Sequence, residues 1–242
     1  MRRPKKLLGV SADAKTVKGE KKGYLTGILY LAPSNTSGII DVCANASEGC
    51  KASCLNTAGR AGMFPAILRS RKAKTVWLVK DPTSFEAQLV KDIEALIRKA
   101  EREDMIPCVR INGTSDLPKI AWKMAERFPN VQFYDYTKHP APWKHTRANY
   151  HLTFSLSETN EASALEALAH GINVAVPFFV KKSKPLPETF LGVSVIDGDE
   201  TDLRFLDKQR GVIVGLRAKG KAKKDCTGFV RQSDLVQIGN KL

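Results

Sequence analysis

Short apolar runs alternate with polar stretches from residue 105 onward, and this alternation constrains the fold more than any other feature. The runs are rich in β-branched and aromatic residues with little polar alternation, which is typical of strands buried on both faces of a sheet. Successive runs lie about 20 residues apart, the spacing of β-α repeats with right-handed crossovers. The runs are 107–112, 131–136, 150–156, 173–180, 192–197 and 211–216, and 24–31 is a further predicted strand upstream.

Helix-favouring stretches lie between and before these strands. The clearest is 81–104, in which Asp81 stands at the N-cap, Pro82 lies in the first turn, and apolar residues recur at helical spacing. Shorter predicted helices are 117–128, 160–170 and 200–209.

The pattern predicts an α/β fold with mostly parallel strands. A (β/α) barrel, whether regular, irregular or incomplete, is our first expectation, and an open doubly wound sheet is the second. We predict a basic N-terminal arm over 1–22 and a single barrel-like catalytic domain over 23–242, with a cysteine loop at 43–54. The chain has neither the dinucleotide motif G-x-G-x-x-G after a strand nor the P-loop motif.

The chain is strongly basic, with 39 Lys and Arg residues against 25 Asp and Glu residues and a net charge of +14. The excess is clustered, which favours a nucleic-acid partner over a merely solvated basic surface, because neutralising phosphates releases counterions and adds affinity. The candidate nucleic-acid-binding residues are Arg60, Arg69, Arg71, Lys72, Lys138, Arg217, Lys219 and Lys221.

Acidic residues follow several of the predicted strands. The carboxyl ends of parallel strands meet at one edge of a sheet, where α/β enzymes place their chemistry. We therefore expect a shared acidic cleft, although Asp116 and Asp202 are also placed to cap helices. The candidate catalytic carboxylates are Asp116, Asp135, Asp197 and Asp199.

No apolar stretch approaches the ~18 residues that a membrane-spanning helix needs. The basic N-terminus also lacks the apolar core of a secretory signal. We therefore expect a cytoplasmic protein without a membrane partner, whose cysteines stay reduced.

Three of the five cysteines lie close together, with the spacing C-x6-C-x3-C at Cys43, Cys50 and Cys54. Such a loop suits Zn²⁺ with a fourth ligand from elsewhere, for which Cys226 is the candidate, or three irons of an iron–sulfur cluster. Reduced buried thiols or a disulfide are the alternatives. Cys108 lies inside an apolar run and is predicted to be a core residue.

Four segments of the chain resemble a phage- and plasmid-borne family known as gene product 88. They are "CANASEGCKASCLNTAGRAGMF", "VRINGTSDLPKIAW", "VQFYDYTK" and "YHLTFSLSE". The resemblance extends over about 25–230 and implies a cytoplasmic location in an infected host cell. The family name itself implies no chemistry.

More distantly, the chain resembles phage DNA-guanine transglycosylases, which are related to the tRNA-guanine transglycosylases. That resemblance implies a barrel enzyme that exchanges guanine in DNA for a 7-deazaguanine base, with DNA and that base as partners and a cysteine-rich zinc site. One carboxylate would act as nucleophile and another as general acid and base, and the four candidate carboxylates are the acids available. The transglycosylase signatures "DSGGFQ" and "QGG" are absent.

The position of the cysteine loop also resembles that of radical S-adenosylmethionine barrels, where three cysteines after the first strand bind a [4Fe–4S] cluster. The usual spacing there is C-x3-C-x2-C. A third hypothesis is a non-catalytic nucleic-acid-binding protein stabilised by zinc. We expect base exchange first, radical chemistry second and the binding protein third.

Overall fold

The chain has an α/β fold built on one mixed β-sheet. The computed structural model describes residues 3–11 and 14–232. Within them the sheet has nine strands in the order β1-β2-β3-β4-β5-β6-β9-β8-β7. The strands are β1 (Leu8–Val10), β2 (Tyr24–Leu29), β3 (Ile106–Arg110), β4 (Gln132–Thr137), β5 (Tyr150–Ser155), β6 (Val174–Phe178), β7 (Thr189–Phe190), β8 (Val193–Asp197) and β9 (Ile213–Arg217).

The sheet is mostly parallel, as predicted. Strands β2 to β6 lie side by side in chain order, and β9 and β8 extend the parallel part beyond β6. The edge strands β1 and β7 pair antiparallel to their neighbours. No pairing joins β1 to β7 in the described part of the chain, so the sheet is open.

Seven α-helices accompany the strands in the described residues. The predicted helix at 81–104 is confirmed as α5, and Asp81 accepts a hydrogen bond from the Ser84 amide at 3.1 Å, as an N-cap does. The helices at 117–128 and 160–170 are confirmed as α6 and α7. The helices are α1 (Ala14–Glu20), α2 (Glu48–Ala52), α3 (Gly59–Met63), α4 (Pro65–Lys80), α5 (Pro82–Arg102), α6 (Pro118–Arg127) and α7 (Glu161–Ala169).

The predicted helix at 200–209 is wrong. Only a 3₁₀ turn, Arg204–Leu206, forms in this stretch. Asp202 accepts a hydrogen bond from Arg110, 92 positions away, and Arg204 donates to the carbonyl of Thr201 at 2.6 Å. These side-chain bonds hold the backbone in an irregular conformation in place of a regular helix.

One face of the sheet forms the main hydrophobic core. Val109 of β3, Phe133 of β4 and Tyr150 of β5 lie in register and are buried there. Helices α5 and α6 pack on this face through residues such as Leu89 and Met124. Farther along the sheet, β5, β6 and β9 share a second apolar cluster with α7.

The opposite face carries more polar and aromatic side chains. Cys108 is fully buried, as predicted, and contacts Tyr134 and Leu203. Arg110 forms an ion pair with Asp202 at 2.7 Å, and both side chains are less than a tenth exposed. The segment around the 3₁₀ turn therefore covers this face and places a buried charge pair there.

The predicted arm at 1–22 and the predicted domain at 23–242 are only partly described. Residues 1, 2, 12 and 13 of the first range and 233–242 of the second lie outside the described residues. The described part of 1–22 contains β1, which pairs with β2, and α1, which packs against β2. None of the described helices is long and apolar enough to span a membrane.

Asp92 of α5 ties β1 to the helical layer, which gives a test of the packing. Its carboxylate accepts hydrogen bonds from the amides of Leu7 and Leu8 at 2.5 and 3.0 Å. Asp92→Ala leaves both buried N–H groups unpaired and is expected to lower the free energy of unfolding by about 2 kcal/mol or more. Urea denaturation measures the change.

Glu94→Ala is the matched control, because Glu94 is exposed on the same helix. Its effect is expected to stay within about 0.5 kcal/mol. Equal stability of the two variants would contradict the role given to Asp92.

Candidate functional site

A cavity of about 330 Å³ opens at the carboxyl edge of the parallel strands. Its walls come from segments that follow β2, β3, β4, β8 and β9, together with side chains of β5 and β6. This is the edge where the sequence predicted the functional residues. The polar and sulfur-bearing wall includes Cys43, Cys50, Cys54, Asp116, Lys138 and Asp199.

The three clustered cysteines all line this cavity. Cys43 lies in the connection after β2, Cys50 lies on α2, and Cys54 precedes the 3₁₀ turn Leu55–Thr57. All three are free thiols. The amide of Ser34 donates to the sulfur of Cys43 at 3.4 Å, and the amide of Asn56 donates to the sulfur of Cys54 at 3.5 Å.

Glu158, in the loop after β5, holds the cysteine loop in place. Its two carboxylate oxygens accept hydrogen bonds from the hydroxyl of Ser47 and the amide of Gly49, each at 2.7 Å. Gly49 is also in close contact with the turn that contains Thr227 and Phe229, and a Cβ there would collide with both side chains. The position of α2, and with it Cys50, therefore depends on this tight contact.

The thiols of Cys43 and Cys54 are poor acids in this environment. Burial raises the pKa of Cys43 to about 12, and repulsion from the neighbouring Cys54 and Cys50 opposes ionisation further. Burial also raises the pKa of Cys54, against the hydrogen bond from Asn56. Binding of a cation by the sulfurs of Cys43 and Cys54 would displace their protons, which couples ligand binding to proton release.

The fourth predicted ligand is placed differently. Cys226 is exposed and does not line the cavity, although its neighbour Thr227 packs against Gly49 of the cysteine loop. In residues 3–11 and 14–232, no group of three His, Cys, Asp or Glu side chains is arranged to hold a metal ion.

Asp116 lines the cavity and ties the ends of two strands together. One carboxylate oxygen accepts from the hydroxyl of Thr137 at 2.9 Å, and the other accepts from the amide of Lys138 at 2.8 Å. Burial raises the pKa of Asp116 despite these two hydrogen bonds.

Asp135 lies outside the cavity wall. It is 2% exposed and accepts hydrogen bonds from the amide and side chain of Asn112 and from the hydroxyl of Tyr150, at 2.7 to 3.0 Å. Burial raises its pKa to about 7, partly offset by the Asn112 amide. The structure therefore does not place Asp135 beside Asp116 in one cleft.

The remaining two predicted acids pair with basic residues of β9 and the segment after it. Asp197 accepts from Arg217 at 2.9 Å, and Asp199 accepts from the amide of Arg217 at 3.0 Å and from Lys219 at 2.5 Å. Burial opposes ionisation of Asp199, but the hydrogen bonds from Lys219 and Arg217 prevail and lower its pKa. Of the two, only Asp199 lines the cavity.

The predicted nucleic-acid-binding residues separate into three groups. Lys138, Arg217 and Lys219 line the cavity. Arg71 is buried in α4, where it donates to the side chain of Asn56 and so supports the cysteine loop. The others lie outside the cavity wall and are exposed, apart from the half-buried Lys72; they are Arg60, Arg69, Lys72 and Lys221.

Sequence reasoning named Asp202 among the acids that follow strands but missed the rest of the polar floor of the cavity. Arg110 lines it together with Asp202 and Tyr136, and the Arg110 guanidinium lies 4.7 Å from the centre of the Tyr136 ring. The available signal was an arginine inside an otherwise apolar strand. Phe229, which also lines the cavity, had no signal in the sequence, because it comes from a turn distant from the other segments.

A family model described as "Gene product 88" matches residues 6–232, so the chain belongs to this family. No curated protein and no solved structure matches the chain.

The buried Asp135 predicts a specific dependence of stability on pH. Burial raises the pKa of Asp135 to about 7 in the folded chain, whereas the ordinary pKa of an accessible Asp carboxyl is 3.8. Folding therefore takes up a proton between these values, and stability falls as the pH rises. From pH 4 to pH 8, wild type is expected to lose roughly 2–4 kcal/mol relative to Asp135→Asn.

Urea denaturation of both proteins across this range measures the difference. Other titrating groups largely cancel, because the two proteins share them. A difference that is constant with pH would show that Asp135 is already ionised at pH 4.

Proposed function

We propose that this member of the gene product 88 family is an enzyme that modifies nucleic acid and holds a [4Fe–4S] cluster on Cys43, Cys50 and Cys54. One observation carries the proposal: all three cysteines line a single cavity at the carboxyl edge of the parallel strands, in the connection after β2. Cysteine thiolates are the usual protein ligands of such clusters.

The surroundings of the three sulfurs suit this group. The amides of Ser34 and Asn56 point at two of them, and hydrogen bonds to sulfur tune the reduction potential of a cluster. The loop also contains the small residues Ala44 and Ala46, whose short side chains favour movement of the thiols towards a common point. The fit requires that movement, because the thiols are not in ligand geometry as placed.

A cluster held by three cysteines keeps one iron free of protein ligands, and with S-adenosylmethionine it supplies radical chemistry. The chain itself provides a mixed apolar and basic wall around the cavity. Pro177, Leu216 and Phe229 line the cavity with apolar side chains. Lys138 adds positive charge, which suits a phosphate-bearing substrate.

The open sheet agrees with this proposal. Strands β2 to β6 follow one another in chain order, and right-handed crossovers then put the connecting helices on one face. Under the proposal the sheet is an incomplete (β/α) barrel, with the cysteine loop across one end.

Base exchange is the second candidate function, and a different observation favours it. Asp116 and Asp199 line the same cavity. Burial raises the pKa of Asp116, as expected for a residue that carries a proton, while Lys219 and Arg217 keep Asp199 ionised. Asp199 would then attack the sugar and Asp116 would handle protons on the departing guanine and the arriving 7-deazaguanine. Asp135 has no part in this version, because it lies outside the cavity wall.

The cluster proposal predicts the metal content of the protein directly. Protein purified without oxygen and reconstituted with iron and sulfide is expected to hold about four irons per chain and to absorb visible light broadly. Cys43→Ala, Cys50→Ala and Cys54→Ala are each expected to lose most of the cluster. Iron and labile-sulfide assays measure the loss.

Cys108→Ala is the matched control, because Cys108 is buried away from the cavity wall, and it is expected to retain full iron content. A colourless protein with one zinc, released by Cys226→Ser, would overturn the cluster and support a zinc site with Cys226 as fourth ligand. Tight DNA binding without turnover would then favour the non-catalytic binding protein.

The two enzymatic candidates make opposite predictions for Asp116→Asn. For radical chemistry, the reduced variant still cleaves S-adenosylmethionine, since the cysteine ligands are intact. For base exchange, wild type incorporates labelled 7-deazaguanine into DNA and the variant loses at least about a hundredfold of that activity. Chromatography of the cleaved cofactor and counting of labelled DNA distinguish the candidates.

A further inference from the structure

An exposed apolar surface lies next to the mouth of the cavity. Leu55, Met63 and Phe64 are 47%, 72% and 49% exposed, which is unusual for side chains of this size lying so close together in the chain. The guanidinium of Arg60 lies 5.9 Å from the centre of the Phe64 ring. We call this surface, with the lysines described next, the apolar–basic face.

Lysines from a distant part of the chain complete this face. Gly220 has a φ of +57°, and a Cβ on it would lie 2.9 Å from the Cβ of Ala58, so the two backbones are in close contact. The 3₁₀ turn Gly220–Lys224 therefore lies directly beside the segment 55–64. Its three lysines are exposed: Lys221, Lys223 and Lys224.

The face is continuous with the cavity. Leu55 belongs to both, and Lys219 and Ala222, next to the exposed lysines in the chain, line the cavity. A ligand that extends out of the cavity along this side must pass over the apolar–basic face.

The positive charge of the apolar–basic face favours binding of a polyanion. Four cations lie on this face, Arg60, Lys221, Lys223 and Lys224, and the segments 55–64 and 220–224 that form it contain no Asp or Glu. A protein partner of ordinary composition would not match this excess. A chain of phosphates would, and its bases would cover the exposed apolar side chains.

We propose that the apolar–basic face binds single-stranded nucleic acid and leads one nucleotide into the cavity. The inference rests on the proposed function, whose substrate it specifies. A base inside a duplex cannot reach a reacting group unless it leaves the stack. A single strand offers its bases freely to Phe64, Met63 and Leu55, and stacking on an exposed aromatic ring is largely independent of sequence.

Fluorescence anisotropy with a labelled single-stranded DNA, the same sequence as a duplex, and the matching single-stranded RNA tests the inference. Wild type is expected to bind the single-stranded DNA or RNA at least about tenfold more tightly than the duplex. Phe64→Ala is expected to weaken single-strand binding about tenfold. Lys221→Gln is expected to reduce the slope of log affinity against log salt by about 0.7.

Matched controls are Leu165→Ala, which removes a side chain 47% exposed on α7, and Lys208→Gln, which removes an exposed charge ahead of β9. Both are expected to bind as wild type does, and thermal unfolding confirms that Phe64→Ala remains folded. Equal or tighter binding of duplex overturns the inference, as does a Phe64→Ala variant that binds like Leu165→Ala. Failure to bind any nucleic acid also overturns it and leaves a protein partner as the occupant.

Iron content is measured on the same preparations and separates the two claims. A protein that holds the cluster but prefers duplex retains the proposed function and loses this inference. A protein without iron that still prefers single strands loses the cluster but keeps the surface.

Discussion

The parallel pairing of β2 to β6 in chain order, extended by β9, is the constraint on which the rest of the structure depends. It brings the carboxyl ends of these strands to one edge. Side chains as distant in sequence as Cys43 and Lys219 therefore line the same cavity. The site is assembled by topology, and no single segment contains enough of it to act alone.

The cysteine loop is fixed over this edge by ordinary contacts of the polypeptide. Glu158 accepts two hydrogen bonds from the loop, and Arg71 donates to Asn56 beside Cys54. Asp225 stabilises the turn that packs against Gly49. Its carboxylate accepts hydrogen bonds from the amides of Thr227 and Val230. These contacts fix the backbone of the cysteine loop beside the cavity.

Most of the sheet could be predicted from the sequence, because parallel strands buried on both faces consist of apolar runs rich in β-branched residues. All seven predicted strands are present, with ends shifted by a few residues at most. Helix α4 was not predicted, since its buried positions include the polar Arg71 and Thr75 and it has no clear apolar stripe. The edge strands β1 and β7 are two or three residues long, too short to show a pattern.

The site was only partly predictable. The cysteine spacing and strand-end positions identified Cys43, Cys50 and Cys54 and two of the cavity acids. The sequence could not show which carboxylates are used in hydrogen bonds to other parts of the protein. Asp135 is one of them, because it accepts hydrogen bonds from Asn112 and Tyr150 and does not line the cavity. These hydrogen-bond partners depend on which face of the sheet each side chain points to. The position of a residue near a strand end does not predict that direction.

We propose that three cysteines of this chain hold a [4Fe–4S] cluster with one iron left open. Electron paramagnetic resonance of the reduced protein, recorded before and after addition of S-adenosylmethionine, tests it most directly. We expect a cluster signal that changes shape when S-adenosylmethionine binds and that is absent from Cys50→Ala. A reconstituted protein without a signal, or with a signal that S-adenosylmethionine leaves unchanged, would contradict the account.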